Sequence, residues 1–548
     1  MFSPLILATP PAHRHRSARA YARLAVIPDY LPNFGQEIGP NGGQARVRTE
    51  CIMPKKLLNT DAVDGLRALA VMHIVLGHHS IYTGYRGDAR EGEDGVQERY
   101  SRGLDLLGGA SMGLFYIISG FVMMLSYGAY GRAAKGKLCG GCDRCCSCCG
   151  DGEEGAGSTG CCYPCFCKPA VSGGEGGPPP APLDVRAFYW KRFARLGPLW
   201  YLGNLLMLPV YFCNYWRQPT TWWYWIGFGL AIPPLGLNAW TVIFFPPAGH
   251  LWTISTMTFF YLVFPLLHHR IRRVKPQSLR SLAIALYVSQ LFILPTFVSG
   301  GGFLGYWFGR MWPIFRLPCF VMGMCAARQR ELEAAAPEAA PLSQAACVPG
   351  GACLGPKRAG ALLCVWLCVI AIGIAEQLAF GQPRPENLLL GMWTRVWGES
   401  LLPMLFYDLI TALTYPAATL APPSRVHAVM SSRPLRALAQ ISLAVYMIHE
   451  TLIRSLTVAV YGPLPDLQSA DQAAGDIQMP VWGAAVTLPL SLALGWLLTY
   501  YYERPMSRWI LRRAIGPERD PSTSRATGDR TVTAPATPLQ SAAPPAKC

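Results

Sequence analysis

The feature that most constrains this chain is a series of apolar blocks separated by short basic segments. The blocks are roughly 18 to 25 residues long, which is the length that an α-helix needs to cross the hydrocarbon of a bilayer. A helix satisfies its own backbone hydrogen bonds there, where no water is present to do so. We therefore predict an all-α fold, a polytopic transmembrane helix bundle, in a multi-pass integral membrane protein.

Ten spans give the simplest topology, together with one re-entrant segment. The predicted spans are residues 66–84, 109–130, 196–214, 250–267, 281–299, 303–326, 360–380, 397–420, 437–461 and 481–502. The re-entrant segment, around Trp222 to Trp240, contains Pro233-Pro234, which disfavours a regular helix. If this segment does not span, every basic loop lies on one side, and the positive-inside rule makes that side the cytosol. Both termini are then cytosolic, and the choice of membrane stays open.

The spans belong to one domain, which we place at residues 61–515. Residues 1–60 are predicted to be a basic cytosolic tail, although the basic cluster in residues 1–50 also resembles an organellar transit peptide. Three segments have compositions that cannot bury enough apolar surface to fold. They are a Gly- and Cys-rich insert at 131–183, a linker at 328–358 and a C-terminal tail at 516–548.

The net charge does not indicate a nucleic-acid partner. Lys and Arg number 48 against 32 Asp and Glu, which gives a net charge of +16. These basic residues lie in short loops beside the apolar blocks, where the positive-inside rule places them. We therefore expect the bilayer, and not nucleic acid, to be the partner of the basic segments.

Ionisable residues inside a span are costly, so each is a candidate for function. In the first span, Arg67 and His78 are 11 residues apart and fall within about 20° of each other around the helix. Asp64 lies near the same face. Histidine titrates in the range that suits proton transfer, so His78 is a candidate acid–base. The alternative is a histidine that hydrogen-bonds a neighbouring helix.

Two further clusters carry polar side chains. Arg192 and Arg195 share a face at the cytosolic entrance of the third span, where guanidinium groups could bind the phosphates of a nucleotide-bearing donor. By itself, ordinary positive-inside anchoring is the better explanation of these two arginines. His449 lies within the ninth span, with Glu450 beside it and Ser442 two turns earlier. A hydrogen bond between helices is the alternative role for His449.

These segments together resemble the acyltransferase 3 family of membrane acyltransferases. The family's motifs occur in the family's order over residues 64–505. They are Asp64-Gly65-Leu66-Arg67 with His78, Leu114 to Phe121, Arg192-Phe193-Ala194-Arg195, Leu251 to Ser255 with Phe260-Tyr261, Ile441-Ser442 to His449, and Tyr502-Glu503-Arg504-Pro505. Each motif is weak alone, but six in order are a specific match.

The resemblance implies transfer of an acyl group from acyl-CoA, as a co-substrate, to a hydroxyl of a carbohydrate or lipid-like acceptor. It implies no bound cofactor. It makes His78 the catalytic histidine, and it makes Arg192 and Arg195, supported by Arg67, the donor-binding residues. As polar residues of the spans, Asp64 and His449 are further candidate catalytic residues. The supporting residues of the motifs are Ser119, Trp252, Ser255, Tyr261, Ser442 and Glu503.

One position departs from the family pattern. The family has a glutamate where this chain has Met257, and a methionine cannot act as an acid, a base or a charge partner. Carboxylates that could replace it are Asp64, Asp105, Glu399 and Asp408. If none does, either the glutamate is dispensable or activity is altered or lost, and a catalytically inactive scaffold is one alternative. A membrane transporter is the other alternative, although the chain lacks the paired halves typical of that class.

The insert at 131–183 is rich in cysteine. Cys142 and Cys145, and then Cys162 and Cys165, have the pair spacing of a zinc ribbon. So many cysteines produce such pairs readily, and juxtamembrane cysteines are also targets of S-palmitoylation. A metal site, palmitoylation and no function therefore all stay open for this insert.

Overall fold

The computed structural model describes residues 58–82, 108–128, 183–215, 236–240, 249–335, 356–380, 388–416, 425–461 and 481–516. All of them belong to one compact unit, Met53–Cys548. The helices are α1 Asp61–Tyr82, α2 Gly108–Tyr127, α3 Val185–Tyr215, α4 Trp252–Arg273, α5 Pro276–Met311, α6 Pro313–Ala335, α7 Pro356–Phe380, α8 Leu388–Leu413, α9 Arg425–Met430, α10 Arg433–Tyr461, α11 Val481–Leu497 and α12 Arg504–Ile515.

Three short elements complete the described fold. A 3₁₀ turn, Gly249–Leu251, leads into α4, and a π-helical segment, Leu498–Glu503, joins α11 to α12. Strand β1, Leu58–Asn59, pairs antiparallel with strand β2, Tyr415–Pro416. The prediction of an all-α fold is confirmed, since this two-residue pairing is the extent of the sheet among the described residues.

The helices form the bundle of an integral membrane protein. Among the described residues, four segments are long and apolar enough to cross a bilayer: Ala110–Tyr127, Pro276–Phe297, Arg433–Val460 and Trp482–Ile515. Each of the ten predicted spans overlaps one of the long helices. The count of ten stays a prediction, as does the re-entrant segment, of which the structure describes only the turn at residues 236–240.

Two predicted boundaries differ from the structure. The break expected between residues 299 and 303 lies inside α5, and the chain breaks instead at Trp312, which is extended because Pro313 follows it. The linker expected at 328–358 is helical at both ends, because α6 continues to Ala335 and α7 begins at Pro356. Ion pairs three residues apart, such as Arg328–Glu331, support the added turns of α6.

The core of the bundle places α2 against α6 at two glycines. A Cβ atom at Gly120 would collide with the carbonyl oxygen of Phe320, and one at Gly323 would collide with that of Ile117. Small residues let helix backbones approach closely, which is how helices associate in membranes without a hydrophobic driving force. This crossing fixes α2 and α6 beside α4, whose Phe260 stacks on Phe320 at a centroid distance of 4.8 Å.

Candidate active site

The centre of the candidate site is a pair of histidines from two helices. The Nδ1 atom of His78 on α1 lies 2.7 Å from the Nε2 atom of His449 on α10. The two rings are stacked, with centroids 5.0 Å apart and an interplanar angle of 13°. His449 is fully buried, whereas His78 is partly exposed. The sequence therefore predicted both residues, and the structure brings them together across 371 residues of chain.

A third histidine, His250, lies beside this pair and contacts Glu450. His250, in the 3₁₀ turn before α4, has its Nδ1 atom 2.7 Å from a carboxylate oxygen of Glu450. The Nε atom of Arg454 donates to the other oxygen of Glu450 at 2.6 Å. The His250 ring meets the His449 ring edge to face at 5.1 Å. Sequence reasoning missed His250, although it directly precedes the Leu251-Trp252 motif.

Tyr446 ties α10 to the start of α4. Its hydroxyl donates to the carbonyl oxygen of His250 at 2.6 Å and lies 2.7 Å from the hydroxyl of Thr253. The carbonyl oxygen of the same tyrosine accepts a hydrogen bond from the Nδ1 atom of His449 at 2.8 Å. Tyr446 thus bonds to the backbone of His250 and to the ring of His449, which joins α10 to the turn before α4.

A charged cluster lies at the other end of α1. Arg67 contacts Asp64 at 3.1 Å and donates to the carbonyl oxygen of Ala439 at 3.0 Å. The charges of Arg195 and Glu503 also act on Arg67. Eleven residues separate Arg67 from His78, so the cluster and the histidine pair are about 16 Å apart along the helix axis.

The two arginines of α3 have different surroundings. Arg192 donates to the hydroxyl of Tyr127 at 3.0 Å, and its guanidinium lies 5.3 Å from the ring centre of Tyr127 and 5.8 Å from those of Phe188 and Tyr261. Cation–π contacts of this kind hold a guanidinium in place. Arg195 is exposed and acts on Glu503. Of the two arginines on this face, Arg192 is held by aromatic side chains and Arg195 is exposed.

The comparison with known proteins identifies the family of this chain. The acyltransferase 3 family model, described as an acyltransferase domain, matches residues 60–500, most of the 548-residue chain. The chain belongs to the acyltransferase 3 family. The matched range includes both histidine contacts and the charged cluster except Glu503. No curated protein and no solved structure matches the chain.

The other residues of the family motifs have their own contacts. Ser255 donates to the carbonyl oxygen of Gly236 at 2.5 Å, and Ser442 donates to that of Ala439 at 2.8 Å. Trp252 is buried in the core of α4, and Ser119 is partly buried on α2. Ser442 and Arg67 therefore donate to the same carbonyl oxygen, that of Ala439.

The position of the family glutamate is apolar in this structure. Met257 is buried on α4. Glu399 bonds to Arg316 at 3.0 Å and Asp408 contacts Arg358 at 3.4 Å, so these two suggested replacements are engaged in ion pairs. The carboxylate that the fold brings to the histidines is Glu450.

The remaining suggested replacements and the suggested metal site are placed as follows. Asp64 is the partner of Arg67, and Asp105 lies outside the described residues. Cys142, Cys145, Cys162 and Cys165 also lie outside them. Within the described part of the chain, no group of three or more His, Cys, Asp and Glu side chains could hold a metal ion.

Proposed function

We propose that this protein transfers an acyl group from acyl-CoA to a hydroxyl group of a carbohydrate or lipid-like acceptor. The observation that carries the proposal is the His78–His449 contact inside a family whose domain is an acyltransferase domain. A partly exposed histidine held by a buried one has the chemistry of a general base within reach of a substrate.

In the proposed reaction, His78 takes the proton of the acceptor hydroxyl as its oxygen attacks the carbonyl carbon of the thioester. The new C–O bond forms, the C–S bond breaks, and the proton on His78 passes to the departing CoA thiolate. Each step balances without a metal or a redox group. The chain's own contribution is to hold the base and to exclude competing water.

The donor side is proposed to be the cluster around Arg67. The exposed Arg195 beside Arg67 offers guanidinium donors to the phosphates of CoA, and the pantetheine arm would extend along α1 toward His78. Arg192 would support this site through its aromatic contacts. The cluster lies at the end of the bundle that the ten-span topology places in the cytosol, where acyl-CoA is available.

One observation favours a second function. Met257 occupies the position of a family glutamate and is buried among apolar side chains, as in a catalytically inactive scaffold. Glu450 opposes this alternative, because it supplies a carboxylate to the histidine cluster from α10.

The test is release of free CoA thiol from short acyl-CoAs by purified protein in nanodiscs, with and without a crude acceptor extract. The expected result is turnover by the wild type that His78→Ala abolishes and that Arg195→Ala lowers at limiting acyl-CoA. His73→Asn is the matched control, since His73 lies on the same helix and contacts Ser111 on α2 at 2.6 Å. No turnover by well-folded wild type would favour the inactive scaffold.

A further inference from the structure

We infer that His449 is a positioning residue that selects which nitrogen of His78 accepts the proton. The inference rests on the proposed role of His78 as the base, and it adds the residue that gives His78 its reactive tautomer. Its evidence is a directed series of hydrogen bonds that begins at a backbone carbonyl and ends at the His78 ring.

The first link fixes the proton of His449. Its Nδ1 atom lies 2.8 Å from the carbonyl oxygen of Tyr446, three residues earlier on α10. A carbonyl oxygen can only accept a hydrogen bond, so Nδ1 of His449 must carry a hydrogen. This statement holds for either charge state of the ring.

The second link fixes the proton of His78. His449 is 0% exposed, and a fully buried side chain favours the neutral form of its ring. A neutral imidazole with its hydrogen on Nδ1 has a lone pair on Nε2. That lone pair faces Nδ1 of His78 at 2.7 Å, so Nδ1 of His78 is the donor.

The consequence is that the lone pair of a neutral His78 lies on Nε2. Nε2 is therefore the atom that accepts the proton of an acceptor hydroxyl. In other histidine sites a carboxylate often accepts the hydrogen bond of the second ring nitrogen, and here His449 accepts it from Nδ1. When His78 accepts a proton on Nε2, its Nδ1 hydrogen remains bonded to His449.

Packing prevents His449 from turning away from this role. The rings of His78 and His449 are nearly parallel, at 13°. Tyr446, which supplies the anchoring carbonyl, is itself bonded to Thr253 and to the backbone of His250. The adjacent Glu450 is directed to His250 and Arg454.

The experiment compares His449→Leu with His449→Gln. The glutamine amide oxygen can accept a hydrogen bond from Nδ1 of His78, whereas leucine has a similar volume and no acceptor. We expect His449→Leu to lower kcat about 10- to 100-fold, by analogy with metal-bound histidines that lose the partner of their second ring nitrogen. The KM for the donor should not change, and His449→Gln should recover most of the loss.

A second readout does not depend on turnover. Nitrogen-15 chemical shifts separate protonated from unprotonated ring nitrogens, and the chain has ten histidines to label. The nitrogen-15 signals that disappear in His78→Gln are assigned to the His78 ring. We expect Nδ1 of His78 to be protonated and Nε2 unprotonated in the wild type, and a mixture of both tautomers in His449→Leu.

The outcomes separate the inference from the proposed function. A His78 that carries its hydrogen on Nε2 in the wild type overturns the inference, and so does a tautomer unchanged in His449→Leu. A wild type that shows the expected tautomer but transfers no acyl group supports the positioning by His449 and refutes the proposed function instead.

Discussion

The crossing of α2 and α6 gives a stability prediction whose size follows from the structure. Gly120→Ala and Gly323→Ala each place a methyl group against a backbone carbonyl oxygen of the facing helix, that of Phe320 or Ile117. Backbone cannot rotate away as a side chain can, so the helices must separate. Gly113→Ala is the matched control on α2, because a Cβ atom there meets nothing within 4 Å.

The magnitude combines two opposing contributions. Overpacking a close-packed interior costs about 1–3 kcal/mol, and a backbone obstruction belongs at the upper end. Alanine gains about 1 kcal/mol over glycine in helix propensity. Each crossing variant should therefore lose about 2 kcal/mol of unfolding free energy, whereas the control gains up to about 1 kcal/mol. The difference of about 3 kcal/mol corresponds to a change of more than about 100-fold in the unfolding equilibrium.

The assay is unfolding in detergent, followed by the fraction of protein that elutes as a monodisperse peak after a heating series. Both crossing variants should unfold at lower temperature than the wild type, and the control should not. If the crossing variants and the control unfold at the same temperature, the two helices do not approach as closely as described, and the argument fails.

Three further predictions follow from charged groups. Arg195→Ala should raise the donor KM with little change in the free energy of unfolding, whereas Arg192→Ala should lower that free energy by about 2 kcal/mol through lost cation–π contacts. Equal losses of stability in the two variants would contradict this division. Glu399→Gln should lower the free energy of unfolding by about 3–5 kcal/mol, because it removes the charge that pairs with buried Arg316. Glu333→Gln, on the surface, should lower it by less than about 1 kcal/mol, and denaturant titration measures both. Burial lowers the pKa of the His427 imidazole, so protonation of this ring favours unfolding. The free energy of unfolding should be highest above about pH 6.5 and should fall on acidification, with a smaller fall in His427→Gln. An equal fall in the wild type and the variant would refute this role of His427.

Much of the helical framework could be predicted because long apolar blocks determine where membrane helices form. The helix ends could not, since they depend on tertiary contacts. Pairs such as Arg330–Glu333 extend α6 beyond its apolar part, and Pro313 moves the break between α5 and α6. Composition and hydropathy contain neither effect.

The candidate site was predictable only where an ionisable residue stood inside an apolar block, as His78 and His449 do. Their hydrogen bond joins distant parts of the chain, so no local pattern contains it. His250 lies at a helix entrance, where a polar residue is ordinary, and only the fold brings it to Glu450. Arg192 and Arg195 look equivalent in sequence, because the aromatic residues around Arg192 come partly from other helices.

The most direct test of the account is transfer of a carbon-13-labelled acetyl group from acetyl-CoA to hydroxyl-bearing acceptors, detected as a labelled ester by mass spectrometry. Nanodiscs that contain the wild type or His78→Ala would be compared at equal amounts of folded protein. The account predicts a labelled ester with the wild type and none above background with His78→Ala. Equal ester formation by the two proteins would contradict it.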